Sequence, residues 1–244
     1  VVDDGSTDDT QKVCERFDSR IDLKYIKLRK DPSVWVDCAY SINVGIRAAK
    51  GAVIIPTHPE IYPGADAVTA VCDLATDNAW VSCKGYYLRP VDMDNLDTVN
   101  WREEGPKAFR QLPGFYDPQP GGHPDYHPAA IETVGKPGGT HPSWLSWIFA
   151  GTTRRLWSRL GGFIPTTAWG AVDLLMVQRR QRLGIATVTP TGDDEYVAHF
   201  NHDRPQGEFT PTDRDMKKCF DQAPYLSVEQ CHWPGVDELW GPLP

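Results

Sequence analysis

Four polar clusters interrupt the apolar runs of this 244-residue chain, and each carries side chains able to bind a ligand or move a proton. VVDDGSTDDT sets Asp3 and Asp4 directly after two valines, with Ser6 close behind. Carboxylates there repel phosphate but accept hydrogen bonds from a base N–H or a ribose hydroxyl. IIPTHPEIYP places His58 and Glu60 on either side of Pro59, at the end of another apolar run. Alternate residues of an extended segment point to one side, so this imidazole and carboxylate can converge. Both are plausible ligands for Mn2+ or Mg2+. HFNHDRP adds His199 and His202, which a loop could bring to one ion. WGAVDLLMVQRRQRLG carries Asp173 in the first turn of an expected helix, where the dipole favours the ionised form. Facing the strand ends, Asp173 would be a candidate general base.

Each cluster also has a plain structural reading. DDGST is a turn whose acids support a helix dipole. Pro59 ends a strand and leaves Glu60 in water. Histidines are commonly exposed, and acids commonly start helices. Taken singly, these readings prevail, so the order and spacing of the clusters must decide.

The elements that would position them read as follows. Val1-Val2 is the tail of a strand; Ser6 or Thr7 caps the next helix, with Asp8 and Asp9 at its positive end. Val13 and Phe17 give that helix an apolar face. IDLKYIKL alternates Ile21, Leu23 and Tyr25 against polar residues, as a half-buried strand does. Residues 36–50 read as a helix stopped by Gly51, AVII as a buried parallel strand, and WVSCKGYYL as a further strand after a helix that follows Pro63. This alternation predicts an α/β fold with a mostly parallel central sheet flanked by helices. Ligands of such sheets gather outside the carboxyl ends of the strands, where Asp3, Asp4, His58 and Glu60 fall.

From about 91 to 142 the texture turns to Gly, Pro, His and aromatics, as in LPGFYDPQPGGHPDYHP. This is a loop-rich insertion, either functional or mobile, or a surface feature of little role. WIFAGTTRRLWSRLGGF then reads as a strand and a short helix ending on Gly161-Gly162. A helix over 170–183 stops at Gly184, and two strand-like pieces end at YVAHFNHDRP. Residues 1–210 are expected to form one domain, with 211–244 a tail packed on it.

A net charge of −8 and a pI near 5.3 argue against a nucleic-acid binder. An anionic ligand would need a cation or a small basic cluster, for which Arg154, Arg155 and Arg204 are candidates. Six scattered cysteines without a C-x-x-C pair fit reduced, mostly buried thiols and a cytoplasmic location, with a Cys219–Cys231 bridge left open. No signal peptide or membrane-spanning apolar run is evident. The chain opens inside a strand without Met, so an N-terminal piece is expected upstream.

VVDDGSTDDT, SINVGIRAAKGAVIIPTHPEIYP, FAGTTRRLWSRLGGF and WGAVDLLMVQRRQRLG, in that order, resemble the successive blocks of GT-A glycosyltransferases, specifically the family-2-like inverting enzymes. Asn43, Gly45, Ala49 and Gly51 match the N-x-G-x-x-x-A-x-G pattern of that family, and the resemblance runs roughly from Val1 to Arg204. It implies that Asp3, Asp4, Ser6 and Asn43 bind the nucleotide, and that Glu60 and His58 stand at the metal-binding D-x-D. It also implies that His199 or His202 completes the metal site and that Asp173 is the base. The implied function is transfer of a sugar from a nucleotide-diphosphate sugar, UDP-linked, to a glycan or other hydroxyl acceptor, with inversion and with Mn2+ or Mg2+.

Trp144, Trp147 and Trp169 fall near the implied acceptor side, as a sugar platform or as core packing. Three departures stand out. D-x-D is His-Pro-Glu, the first acid of the family's E-D pair is Val172, and the opening strand is absent. They motivate an alternative, a catalytically lapsed GT-A module that binds a nucleotide or glycan. A nucleotidyltransferase would carry an early Gly-rich, basic triphosphate loop, and none is present.

Overall fold

The computed structural model describes residues 1–28, 38–88, 90–112, 149–163, 172, 176, 179–181, 183–190, 192 and 194–200. In chain order the strands are β1 (Val2–Asp3), β2 (Ile26–Lys27), β3 (Val53–Ile54), β4 (Ile61–Pro63), β5 (Ala79–Ser82), β6 (Lys84–Tyr87), β7 (Ala150–Thr153), β8 (Ala186–Val188) and β9 (Tyr196–His199). The helices are α1 (Thr10–Glu15), α2 (Cys38–Ala48), α3 (Ala67–Leu74), α4 (Pro90–Asp94), α5 (Trp101–Glu104) and α6 (Arg154–Leu160).

The fold is α/β, with a central sheet flanked by helices. The central sheet has the order β3-β7-β5-β8. β8 runs parallel to β5, while β7 is antiparallel to both β3 and β5, so three of the four strands share a direction. β1 and β2 form a separate parallel pair. The run 80–88, read as one strand, is two: it breaks at Cys83, whose amide donates to the Phe149 carbonyl at 3.1 Å. β6 then joins a second sheet of order β4-β9-β6.

Burial explains where the first segment departs from expectation. α1 is only six residues long and buries only Cys14, while Val13 and Phe17 stay 45% and 42% exposed. Neither Ser6 nor Thr7 caps it; Asp8 accepts hydrogen bonds from the Thr10 amide and hydroxyl instead. Ile21 is 58% exposed, and the strand expected from 21 onward is confined to Ile26–Lys27. Of the four free cysteines among the described residues, Cys14 and Cys83 are buried but Cys38 and Cys72 are exposed. Cys219 and Cys231 lie outside the described residues.

α2 behaves as its sequence demands. Ala39, Asn43, Val44 and Ile46 face inward, and Arg154 closes the carboxyl end by donating to the carbonyls of Ala49 and Gly51. The main core lies between α2, α6 and the central sheet, around Trp80, Trp157 and Phe163. The Trp80 and Trp157 rings meet edge to face at 5.0 Å, a favoured aromatic geometry. α6 is capped by the Thr153 hydroxyl, which accepts from the Leu156 amide at 3.1 Å, and ends on Gly161 in the left-handed conformation. Arg180 is buried in this core above the Trp80 ring and donates to the Thr187 hydroxyl at 2.8 Å; burial pushes its pKa down to about 9.

Residues 90–112 form α4, α5 and two 3-10 turns, Leu96–Thr98 and Gly105–Gln111. They carry Trp101 and Phe109 onto Tyr62 of the second sheet and Phe200 just after it, with ring centroids 5.5 to 5.9 Å apart. Among the described residues no helix is long and apolar enough to cross a membrane.

Candidate functional site

The two acidic strand ends differ in what surrounds them. Asp3 ends β1 and is buried. Its Oδ1 accepts the amides of Gly5 at 3.1 Å and Ser6 at 2.7 Å; its Oδ2 accepts the Tyr25 hydroxyl and lies 3.9 Å from Lys27 Nζ. Burial by itself would raise the carboxyl pKa. The hydrogen bonds from Tyr25 and Ser6, with the Lys27 charge, outweigh it and hold Asp3 below its ordinary value. The same bond to Asp3, with burial, pushes the Tyr25 phenol up to about 12. Asp3 therefore organises the turn that leads from β1 to α1. Lys27, from β2, was not singled out by the sequence, and Tyr25, just before β2, was read only as an apolar strand position; neither signals its role without the β1–β2 pairing.

Asn43 is likewise engaged in scaffolding. From α2 its Nδ2 donates to the Phe163 carbonyl at 2.8 Å, and its Oδ1 accepts the Phe163 amide at 2.7 Å. A Cβ on Gly162, which sits at φ +79°, would come within 2.5 Å of that Oδ1. The N-x-G and L-G-G-F blocks thus interlock across the core, each explaining a residue of the other.

At the second strand end three side chains come together. Glu60 Oε1 lies 3.7 Å from His58 Nδ1 and 4.0 Å from His199 Nε2, with side chains 27%, 17% and 10% exposed. The arrangement follows from strand pairing. β4 runs antiparallel to β9 with Ile61 opposite His199, and the Phe200 amide donates to the Glu60 carbonyl at 2.8 Å. The Ile61 amide closes a turn on the His58 carbonyl at 3.1 Å, folding the His-Pro-Glu segment back on itself. Pairing by β9 therefore brings a late histidine to an acid far away in sequence. Of the two candidates, His199 is the one placed there; His202 lies outside the described residues.

By donor chemistry, two imidazoles and a carboxylate suit a divalent transition cation. By arrangement, no group of three or more His, Cys, Asp or Glu side chains among the described residues is set to hold one.

A cavity of about 330 Å³ runs between β1, α2 and β3, lined by Val2, Ile42, Ile46 and Ile54 and reaching Thr57 and His58. It links the backbone beside Asp3 to the His-Pro-Glu turn. Arg154 and Arg155 lie elsewhere: the first caps α2 and the second pairs with Asp77 at 3.2 Å. Asp173, Trp144, Trp147, Trp169 and Arg204 lie outside the described residues, whereas Val172, beside Asp173, is buried in the main core.

Residues 1–114 match the family model for glycosyl transferase family 2, so over this stretch the chain is similar to that family, as its motifs indicate. The match supports a glycosyltransferase. Among solved structures, the mannosyltransferase PcManGT from Pyrobaculum calidifontis, in complex with GDP-Man and Mn2+, is 19% identical with a TM-score of 0.47. The match covers 100% of this chain and 55% of that one, so this chain spans little more than half its length. Glucosyl-3-phosphoglycerate synthase from Mycobacterium tuberculosis, in complex with phosphoglyceric acid, is 14% identical with a TM-score of 0.43, covering 100% and 69% of the two chains. No curated protein matches the chain.

Proposed function

We propose that the protein transfers a sugar from a nucleotide-diphosphate sugar, UDP-linked, to a hydroxyl acceptor with inversion at the anomeric carbon. The observation that carries this reading is the approach of His199 to His58 and Glu60, two residues that lie within the stretch matching family 2. The cavity beside β1 leads from the Asp3 turn toward those side chains, giving a nucleotide a path between them. Asp3 shapes the turn, while Asp4 and Ser6 stand on it to meet the base or ribose. Asn43 contributes by holding the Phe163 turn.

Asp173 acts as the base. It takes the proton of the acceptor hydroxyl while that oxygen forms its bond to the anomeric carbon, and the bond from that carbon to the diphosphate oxygen breaks with its electron pair leaving on the nucleotide. No covalent intermediate is required. His58, Glu60 and His199 would hold a divalent cation, Mn2+ or a similar ion, whose charge offsets that of the departing diphosphate. The acceptor is a glycan or another hydroxyl compound, with Trp144, Trp147 and Trp169 as aromatic surfaces for a sugar face.

The test is release of UDP from a panel of UDP-sugars with Mn2+ and simple glycan acceptors. Turnover with at least one donor is expected; neither turnover nor nucleotide binding would contradict the reading. A second reading rests on Val172. The position of the first catalytic-pair acid is filled by a 3%-exposed valine of the core, which favours a module that binds nucleotide sugars without transferring them. Calorimetric binding of UDP-sugar without turnover or metal dependence would select it.

A further inference from the structure

We propose that the cavity between β1 and β3 is a β-strand position, taken by an extended, mainly apolar segment of the same polypeptide that precedes Val1 and bonds to both strand edges. The inference goes beyond the transferase reading and does not depend on it.

Two walls of the cavity are strand edges. Among the described residues β1 pairs only with β2, and β3 only with β7. On β1 the carbonyls of Val1 and Asp3 accept the amides of Ile26 and Leu28 at 2.9 and 2.8 Å. Backbone groups alternate between the two edges of a strand, so those of Val2 turn away from β2. On β3 the Ala52 carbonyl accepts the Arg154 amide at 2.8 Å, and Ile54 stands opposite Thr152. The backbone groups of Val53 and Ile55 therefore turn away from β7. Val2 and Ile55 both line the cavity.

Helix α2 is a common floor beneath both strands. A Cβ on Gly45 would meet Val2 Cγ2 at 3.4 Å, and Ile46 shares a core cluster with Ile54. Val2 and Ile54 thus present one sheet face to one helix, as strands of a single sheet do, yet the cavity stands between them. An inserted strand, about 4.8 Å from each neighbour, would merge the β1–β2 pair with the central sheet in the order β2-β1-segment-β3-β7-β5-β8. Two-stranded pairs are marginal by themselves, so β1 and β2 gain most from this union. Side chains on its inner face would rest on Ile42, Gly45, Ile46 and Ala49, which match apolar residues. A small solute could fill the volume, but only an extended backbone also satisfies two facing rows of amides and carbonyls. Val1, 57% exposed, lines the same cavity, so polypeptide leading into β1 starts beside it. The Thr57–His58 end lies past Ile54, the last residue of β3, and stays open to a nucleotide.

Amide hydrogen exchange on the complete polypeptide, with the sequence upstream of Val1 in place, tests this. The Val2 and Ile55 amides should exchange within about tenfold of the Ile26 amide, which is bonded between β1 and β2, at every protein concentration. Gly45→Leu, which fills the floor of the groove, should speed exchange at Val2 and Ile55 by at least about tenfold while Trp80 and Val81 of β5 stay protected. If that variant loses protection on β5 as well, the smaller change Ala49→Val and the parent measurement carry the test. Fast exchange at Val2 and Ile55 in the parent would overturn the inference. So would protection that rises with protein concentration, which would assign the strand to a second copy. Turnover plays no part in this readout, so the transferase reading stands or falls separately.

Discussion

Asp3 and Glu60 are both acids at the end of an apolar run, and the sequence presents them alike. Their surroundings separate them. Two backbone amides, a phenol and an ammonium engage both oxygens of Asp3, and every one of those donors comes from the β1–β2 unit itself. Glu60 instead faces two imidazoles, groups that either donate a proton or ligate a cation. An acid whose acceptor capacity is met by its own turn and neighbouring strand is part of the scaffold; an acid gathered with imidazoles from a turn and a distant strand is suited to a ligand. The comparison predicts that substitutions around Asp3 act on folding, while those around Glu60 act on binding and turnover.

The largest expected effect lies with the proposed base. Asp173→Asn should lower turnover by about 10²–10⁴-fold while leaving UDP affinity unchanged, measured as UDP release and by calorimetry. Glu60→Gln should lower metal affinity and turnover on the order of 100-fold, with a melting temperature close to that of the parent protein. Asp3→Ala should do the reverse. Leaving two amides and a phenol without their acceptor should cost about 2–3 kcal/mol of stability in urea melts, with metal affinity preserved in the folded fraction.

A finer separation comes from pH. The Asp3 carboxyl is held below its ordinary value of 3.8, so its stabilising contribution is fully present above that value and is lost as pH falls through the lowered folded value. Urea midpoints should therefore fall on acidification below about pH 4, and less steeply in Asp3→Asn. Tyr25→Phe, which removes one donor to Asp3, should give the smallest change, a modest drop in melting temperature. If Tyr25→Phe or Asp3→Ala instead abolished UDP binding in folded protein, the division between scaffold and site would be wrong.

Several elements of the fold were legible in the residues, whereas the division between Asp3 and Glu60 depended on pairings that periodicity does not encode. The helix over α2 followed from its apolar spacing and from Gly51, and the end of α6 from Gly161-Gly162. The direction of β7 did not follow, because an apolar run carries no sign of which way its neighbour points. The break at Cys83 was hidden for a related reason: WVSCKGYYL is rich in strand-forming residues on both sides of Cys83, and only the bond to Phe149 and the departure of β6 into the second sheet divide it. For α1, spacing marked Val13 and Phe17 as a buried face, yet a six-residue helix turned so that only Cys14 is covered. His199 and His202 were equivalent in sequence, and the β4–β9 register distinguished them by placing His199 against Ile61, next to Glu60. Asn43 matched its motif, but only the fold shows its amide clasping Phe163.

The central claim is that Glu60 and its two imidazoles hold the cation on which nucleotide-diphosphate binding depends. Calorimetric titration of UDP into the parent protein and Glu60→Gln, each with Mn2+ and then with chelator, tests it most directly. The account predicts that chelator weakens UDP binding in the parent by about tenfold or more, and that Glu60→Gln binds UDP weakly under both conditions. Equal UDP affinity in all four titrations would contradict it.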